Sequence, residues 1–352
     1  MAQPTNTYDA YDANDGTNLT GGSNREDLSD IIYNIAPTET PFISMAQRGT
    51  ARNAKHEWLT DTLEDAASNF QIEADDYSGD DRNPPNRLHT YTQISAKALT
   101  VSGTQEVINK AGRKSEIAYL LSLQAKELKR DMERHALGFT TSAEATALGT
   151  VAGGGSTYPN TLGSATAGRT TASVGTWIHT NDSTNGGTDV TVSNGQPSDG
   201  GANGARDPGT PRALLESTLK AQIRAAWNEG GNPGTIIVDA FNKQVISSFT
   251  GGATKFDRTE DRKLVTAIDI YVSDFGEHTV VPDRFLVQPI AAEGTAAYIL
   301  DMNYWGVHYL RPFMQTPLAK TGDAEKRLLL AEWSICSKNE KASAVIFDLT
   351  KS

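Results

Sequence analysis

The 352-residue chain has one cysteine, no long apolar run and an excess of acidic over basic residues. A single cysteine, Cys336, cannot form a disulfide within the chain, so stability has to come from packing or from association. No apolar run approaches the length of about 18 residues that a membrane-spanning helix needs. The net charge of −11 argues against dense phosphate contacts with nucleic acid. These features argue against a disulfide scaffold, an apolar membrane-spanning helix and a protein whose main task is dense phosphate contact with nucleic acid.

Catalytic motifs are also missing from the sequence. There is no GxSxG nucleophile elbow, no phosphate-binding Walker loop, no HExxH helix and no CxxC pair. No two histidines have the i,i+4 spacing of a metal-binding pair on a helix. The six histidines are His56, His89, His135, His179, His278 and His308. We therefore predict no catalytic residue, no cofactor and no metal site, and we expect Cys336 to be a buried, inert thiol.

Two patches allow a ligand-binding interpretation beside a structural one. The acidic stretch from Glu73 to Asp81 has the carboxylates that Ca²⁺ prefers, but it lacks the spacing of an EF-hand loop. A solvated or partner-facing run of charge is the favoured interpretation. Trp227, Trp305 and nearby aromatic residues could line a pocket, yet aromatic side chains dominate cores and subunit interfaces as well. Because no convergent polar set accompanies them, we favour packing or an interface.

One long amphipathic helix is predicted from Ser115 to Phe139. Apolar residues at helical spacing form one face: Ile117, Leu121, Ala125, Leu128, Met132 and Ala136. At a rise of about 1.5 Å per residue the helix would be roughly 37 Å long. Gly138 marks its end, and Glu133 is expected to pair with Lys129 and Arg130 on the surface. The rest of the chain is organised around this helix.

The N-terminal part reads as a polar arm followed by an apolar strap. Residues 1–24 have almost nothing apolar to bury, so we expect them to be disordered in an isolated chain. The strap presents four apolar side chains, Ile31, Ile32, Ile35 and Phe42. A strap with a polar leader is more useful to a neighbouring copy than to its own chain. The start of the sequence lacks the features of a signal peptide, so we also expect synthesis in the cytoplasm without export.

A long two-stranded excursion is predicted from Lys55 to Val101. Between Glu57 and Asp81 it carries nine acidic residues and no Lys or Arg, whereas Lys110 to Arg134 holds seven basic and four acidic residues. A hairpin of this length needs a surface to lie on. We therefore predict that the hairpin of one copy packs on the long helix of another. The predicted contact joins Glu73, Asp75, Asp76, Asp80 and Asp81 of one copy to Lys126, Lys129, Arg130 and Arg134 of its neighbour.

Residues 141–211 are rich in Gly, Ser, Thr and Asn and contain no Lys. Two interpretations stay open for them: a small β insertion with a strand near residues 188–192, or a surface flap. Residues 175–181 stand out as the one strongly apolar point of this segment.

The C-terminal half is predicted to form an α/β layer. A helix is expected with Thr210 as N-cap, Pro211 at its first position and Trp227 in its last turn. Strands are expected at residues 235–238, 268–272 and 284–288, with a helix through residues 244–249. An aromatic cluster follows, made of Tyr298, Tyr304, Trp305, Tyr309 and Phe313. Residues 328–336 and 344–349 are predicted to pair as a closing β-hairpin around the SKNEK turn.

Six stretches carry a family resemblance. They are REDLSDIIYNIAPTETPF (25–42), VSGTQEVINKAG (101–112), AKELKRDMER (125–134), WNEGGNPGTIIVD (227–239), IYVSDFG (270–276) and RPFMQTPLAKTGDAEK (311–326). Their joint order, with the polar arm, the acidic hairpin and the long helix, resembles the HK97-type major capsid proteins of tailed bacteriophages. Within that fold the stretches are similar to the group of major head proteins typified by phage SU10.

The resemblance implies an α+β fold of the HK97 type. The implied divisions are an N-terminal arm (1–54), an E-loop (55–100), the spine helix with part of the peripheral domain (101–140), a Gly/Ser/Thr-rich insertion (141–211), an axial domain (212–320) and the closing strands of the peripheral domain (321–352). Some members of this fold crosslink covalently through a lysine at the E-loop tip. Because there is no Lys between His56 and Ala96, we expect this shell to be held by non-covalent contacts.

The implied function is assembly through hexamers and pentamers into an icosahedral-type shell around phage double-stranded DNA. The implied partners are other copies of the chain, a portal, scaffolding or decoration proteins, and DNA held by weak non-specific contact, with no membrane. The implied location is the virion, after assembly in the cytoplasm of the host bacterium. An encapsulin-like nanocompartment has the same fold and is the alternative, and an acidic hydrolase or glycan-binding protein is a more distant one.

Overall fold

The computed structural model describes residues 38–64, 66–68, 70, 72–74, 84–110, 112–150, 154–165, 167–249, 269–286, 294–320 and 322–351. Helices and sheets are mixed along the chain, as expected for an α+β fold. The described residues form these α-helices: α1 (Pro41–Met45), α2 (Gly103–Val107), α3 (Glu116–Leu137), α4 (Ser142–Leu148), α5 (Val174–Trp177), α6 (Glu216–Asn228) and α7 (Ala240–Ser247). Within these ranges no helix combines the length and the apolar character that crossing a membrane requires.

The strands fall into two larger sheets and two small hairpins. They are β1 (Gln47–Thr50), β2 (Lys55–Thr60), β3 (Asn86–Tyr91), β4 (Gln93–Ser102), β5 (Asp182–Ser183), β6 (Val192–Ser193), β7 (Gln196–Pro197), β8 (Thr235–Val238), β9 (Ile270–Ser273), β10 (Gly276–Pro282), β11 (Thr295–Leu300), β12 (Trp305–Pro317), β13 (Ala324–Ser337) and β14 (Ala344–Leu349). The first sheet has the order β1-β12-β13-β4, and the second has the order β5-β14-β11-β8-β10-β9. Among the described strands, β2 pairs with β3 and β6 pairs with β7.

The six-stranded sheet separates two apolar clusters. Every residue of β11 and β14 is buried, which is typical of strands covered on both faces. Alternate residues of a strand point to opposite faces. Ile236 accordingly lies in one cluster with Leu219 and Ile223 of α6, whereas Ile237 lies in the other with Trp177 and Trp305. The second cluster continues beneath α3 and the four-stranded sheet and forms the main core.

The predicted long helix is confirmed as α3. The Ser115 hydroxyl caps its start by accepting a hydrogen bond from the backbone N–H of Ala118 at 3.3 Å. The apolar face is confirmed as well, with Leu128, Met132 and Ala136 buried. α3 packs on α1, β4, α5 and β13. The helix therefore links the N-terminal segment to the four-stranded sheet.

The predicted closing hairpin is wrong in its pairing but not in its strands. β13 pairs with β12 and β4, whereas β14 pairs with β11 and β5 in the other sheet. A short 3₁₀ helix, Glu340–Ala342, begins within the SKNEK segment, and there the chain passes from one sheet to the other. The hairpin at this end of the chain is instead β12–β13, which extends from the pair Trp305/Ser337 to the pair Pro317/Arg327.

One helix boundary and one predicted strand in the C-terminal half also differ from prediction. α6 begins at Glu216, not at Pro211. The preceding segment is extended because Arg212 bonds through its backbone N–H to Asp348 and through its carbonyl to the N–H of Thr350. Pairing with the chain end thus replaces the expected first helical turn. Residues 284–286, predicted as part of a strand, form no strand, while the strand at 235–238 is confirmed as β8.

The Gly- and Thr-rich segment 141–211 is an integral part of the fold and not a surface flap. Residues 154–160 and 171–178 are buried, and Trp177 lies in the main core. The Thr176 hydroxyl donates to the Tyr158 carbonyl at 2.7 Å, and its oxygen lies 2.8 Å from the Thr157 hydroxyl oxygen. Such bonds satisfy buried polar groups where regular strands are short. The strand expected near 188–192 forms only at its end, as β6.

Candidate assembly surfaces

The β2–β3 hairpin leaves the body of the chain as the predicted excursion, but it is shorter than expected. Pairing extends outward from Lys55 and Tyr91, whereas the following residues leave the hairpin and join the four-stranded sheet as β4. The root of the hairpin is fixed by packing, because the ring of Trp58 lies 5.4 Å from the ring of Trp177. The outer part of the hairpin therefore extends from a root that is packed against the core.

A carboxylate of the 141–211 segment also holds this root. Asp199 accepts a hydrogen bond from the Tyr91 hydroxyl at 3.1 Å and one from the Asn160 amide at 2.8 Å. The ring Nε2 of His89 lies 3.0 Å from the same carboxylate. Burial, together with the charge of Asp199, raises the pKa of Tyr91 to about 12. The tyrosine therefore stays a neutral hydrogen-bond donor at any physiological pH.

The outer hairpin, by which we mean the end of β2 and the described residues between Asp61 and Glu73, exposes large apolar side chains. Leu59, Leu63, Phe70 and Ile72 are 68%, 87%, 93% and 74% exposed. A polar groove of about 1030 Å³ separates this part from the body of the chain, and Leu63 lies on its wall. Several such side chains on one projecting element are typical of a surface that another chain covers. The apolar residues add to the predicted acidic contact, which sequence reasoning treated as purely electrostatic.

The acidic side of the predicted contact is only partly within the described residues. Glu73 is exposed near the hairpin tip. Asp75, Asp76, Asp80 and Asp81 lie outside the described residues. Their part in an interface stays a prediction.

The basic side of the predicted contact divides into two pairs. Lys126 and Lys129 are exposed on α3. Arg130 is half-buried with its guanidinium 5.5 Å from the centre of the Phe285 ring, and Arg134 pairs with Glu144 at 2.9 Å. The two arginines therefore already have partners within their own chain. The two lysines are the members of the set that are best placed for a neighbour.

The apolar strap has a different role at its C-terminal end from the one predicted. Phe42 lies in α1 and is 0% exposed, packed edge-on against Trp305 with ring centres 6.2 Å apart. Its side chain is enclosed by its own chain, so the expected contact of Phe42 with a neighbour does not form here. Ile31, Ile32 and Ile35 lie outside the described residues.

Glu133 of α3 attaches this segment to the spine helix. Its carboxylate accepts hydrogen bonds from the backbone N–H groups of Phe42 at 2.6 Å and Ile43 at 2.9 Å. Glu133 is 0% exposed, so the predicted surface ion pairs with Lys129 and Arg130 are wrong. Burial, with the nearby charge of Asp283, raises the pKa of Glu133 to about 8 even though the two N–H donors favour the ionised form.

Two further apolar sites are exposed on the body. Val107 and Ile108, at the end of α2, are 86% and 53% exposed. Trp227, at the end of α6, is 52% exposed and stacks on Phe275 with ring centres 5.1 Å apart. Trp227 is therefore not part of the core, whereas Trp305 is fully buried, as expected for a packing residue.

Sequence reasoning missed one cluster of chemically active side chains. His56, His308 and Cys336 come from β2, β12 and β13, and their ligand atoms all lie within 4.8 Å of one another. The three residues are far apart along the chain, so no spacing rule finds them. Cys336 is buried, as predicted, and burial raises its pKa to about 12.

Comparison with known proteins gives a consistent result. The family model described as SU10 major capsid protein matches residues 4–350. The major capsid protein of Escherichia phage Phieco32 is 23% identical over 360 residues, covering 99% of this chain and 98% of that protein. Among solved structures, the capsid asymmetric unit of Cyanophage A-1(L) matches with a TM-score of 0.59 and 14% identity, over 93% of this chain and 97% of the other.

A protein shell of another kind has a similar fold. The holo-SrpI encapsulin complex of Synechococcus elongatus matches with a TM-score of 0.50 and 9% identity, over 93% of this chain and 92% of that one. Structural likeness at such identities shows the fold alone. The distinction between the two kinds of shell rests on the sequence family.

Proposed function

This chain belongs to the SU10 major capsid protein family, and we propose that its copies assemble as hexamers and pentamers into an icosahedral-type shell around phage double-stranded DNA. Membership in the family makes it a capsid shell protein of the virion. The proposal concerns how the copies hold together, what they enclose and where they assemble. Its role is structural, and we infer no catalytic activity.

The observation that carries the assembly proposal is the exposed apolar surface of the outer hairpin. Burying a side chain such as Leu63 or Phe70 contributes about 1.5–3 kcal/mol relative to leaving it in water. A second copy is the natural occupant, because the exposed Lys126 and Lys129 of its α3 complement the acidic hairpin. We infer that apolar burial gives this contact its strength and that charge gives it its register.

The contents of the shell follow from charge. With a net charge of −11, the chain repels a polyanion on average, so contact with packaged DNA would be weak and non-specific. This permits DNA to be packed and released. Assembly would take place in the cytoplasm of the host bacterium, with a portal and with scaffolding or decoration proteins as further partners.

The test is to express the full chain, purify it and image it. We expect shells or capsomers of five and six copies. Phe70→Ser should reduce the yield of particles sharply, because it removes an apolar contact between copies without touching the core. Leu162→Ser is the matched control, since Leu162 is also 61% exposed but belongs to the 141–211 segment and not to the outer hairpin. Equal particle yields from both variants would contradict the proposed contact.

The charge component is tested separately. Reversing Asp75, Asp76, Asp80 and Asp81 to lysine should impair assembly, and normal particles from that variant would remove the electrostatic part of the proposal. The contents of particles made during infection decide the encapsulin alternative. DNA-filled particles with a portal support a capsid, whereas a protein cargo without DNA would favour a nanocompartment.

A further inference from the structure

The root of the hairpin meets the four-stranded sheet at a pair of histidines. His56 is on β2, and His308 is the fourth residue of β12. His308 Nδ1 lies 2.6 Å from His56 Nε2, and the ring centres are 4.5 Å apart. The thiol of Cys336, on the neighbouring β13, completes a set of two nitrogens and one sulfur within 4.8 Å. One side chain of the hairpin thus converges with two of the sheet.

The backbone around His308 is shaped to hold this ring. Gly49 is its partner on β1, and a Cβ there would lie 2.4 Å from His308 Cδ2. A Cβ at Gly306 would lie 2.9 Å from His308 Nε2. Side chains at both positions would displace the ring, so two glycines let it lie flat with Nδ1 directed toward His56. The orientation of the nitrogen is therefore set by the sheet itself.

A fourth polar group faces the same side of the sheet. Ser334 is the cross-strand partner of His308, and paired residues project to one face. Its side chain is 0% exposed, and its hydroxyl has no hydrogen-bond partner among the described parts of the chain. A buried hydroxyl of this kind costs free energy unless something else occupies the site. This observation is independent of the histidine pair, and it leaves on this face of the sheet a polar group that a ligand or a bound water would satisfy.

We propose that His56, His308 and Cys336 bind a Zn²⁺ ion that joins the hairpin to the four-stranded sheet. Two imidazole nitrogens and one thiolate are a donor set that Zn²⁺ prefers, and a water held by Ser334 would complete a tetrahedral site. Zn–N distances of about 2.0–2.1 Å place two tetrahedral nitrogens roughly 3.3 Å apart, so the histidines need to separate by less than about 1 Å. His56, on the half-exposed hairpin, is the ligand able to move.

Binding of Zn²⁺ at this site releases one proton. The neutral thiol of Cys336 releases H⁺ as the Zn–S bond forms, and both imidazoles bind in their neutral form. The site would join β2, which pairs with β3, to the paired strands β12 and β13 of the four-stranded sheet. This inference does not depend on shell assembly, because all three ligands come from one chain.

The test uses Co²⁺ as a spectroscopic substitute for Zn²⁺ on the chelator-treated full chain. We expect one Co²⁺ per chain, a near-ultraviolet sulfur-to-cobalt charge-transfer band and visible bands typical of a tetrahedral site, all abolished by added Zn²⁺. Cys336→Ser should remove the charge-transfer band. His56→Gln should weaken binding at least about tenfold. His179→Gln is the control and should bind as the unchanged chain does.

Either of two results would overturn the proposal: the absence of a charge-transfer band in the unchanged chain, or a band of equal strength in the Cys336→Ser variant. If the Cys336 variant fails to fold, His56→Gln decides the matter, because it lies at the half-exposed hairpin root and leaves the sheet intact. Co²⁺ affinity unchanged in that variant would exclude His56 and with it the link to the hairpin.

Discussion

Glu133→Gln tests how the N-terminal segment is attached to the spine helix. Gln is nearly isosteric with Glu but replaces one acceptor oxygen by an NH₂ donor. That donor would face the backbone N–H of Phe42 or Ile43, both of which now donate to the carboxylate. A buried donor left without an acceptor costs about 1–3 kcal/mol. At a pH where Glu133 is protonated, the variant should therefore be less stable than the unchanged chain by about this amount.

The difference should reverse as pH rises. Burial and Asp283 raise the pKa of Glu133 from 4.5 to about 8, so the folded state holds the proton more tightly than the unfolded state does. Below pH 4.5 Glu133 is protonated in both the folded and the unfolded state, so its ionisation does not lower the free energy of unfolding. Between pH 4.5 and 8 the unfolded state loses its proton first, and stability falls by up to about 5 kcal/mol. The Gln variant lacks this loss, so the two stability curves should cross between roughly pH 5 and 7.

Urea unfolding of the unassembled chain, followed by tryptophan fluorescence at a series of pH values, measures both curves. Asp283→Asn serves as a matched variant, because removing that charge should lower the pKa of Glu133 and narrow the window in which stability falls. If the cost of Glu133→Gln grew with pH instead of reversing, the folded state would hold the carboxylate in its ionised form and the reasoning would be refuted.

Three further substitutions probe the fold by the same unfolding measurement. Glu332→Gln should lower the free energy of unfolding by about 2–4 kcal/mol, because Glu332 is 3% exposed and its carboxylate pairs with two arginines. An unchanged free energy of unfolding would mean that these ion pairs do not stabilise the fold. Gly49→Ala should cost about 1–3 kcal/mol by displacing the His308 ring, whereas a neutral effect would show that the ring moves freely. Trp177→Ala should cost about 3–5 kcal/mol as a cavity in the main core, and a loss under 1 kcal/mol would place it outside that core.

Local signals in the sequence predicted local structure well. The spine helix was predictable because its capping serine, apolar spacing and terminal glycine all lie within one stretch of about 25 residues. β8 was predictable for the same reason, as a short apolar run between turns. The pairing of the strands was not predictable from local signals. β13 and β14 each have the sequence of a hairpin strand, but they lie in different sheets because each pairs with strands from elsewhere in the chain. The prediction of where α6 begins was wrong because Arg212 pairs with the C-terminal strand region, and no local pattern in the sequence reveals this contact.

The candidate surfaces show the same limit. The acidic hairpin and the basic helix were visible as charge in the sequence, but not the use of Arg130 and Arg134 within their own chain. Phe42 was predicted to contact a neighbouring copy, but it lies beneath α3, where its backbone N–H donates a hydrogen bond to the Glu133 carboxylate. The convergence of His56 and His308, which are 252 residues apart, depends on the pairing of β12 and on the position of the hairpin root. Tertiary contacts of this kind follow from the fold and not from spacing.

Electron cryomicroscopy of particles assembled from the full chain would show where the hairpin of each copy lies. We expect a closed shell in which the hairpin of each copy lies on the α3 helix of a neighbour, with Leu63 and Phe70 buried between the two copies and Lys126 and Lys129 facing the acidic tip. A closed shell in which these hairpin side chains remain in solvent, or fold back on their own chain, would contradict it.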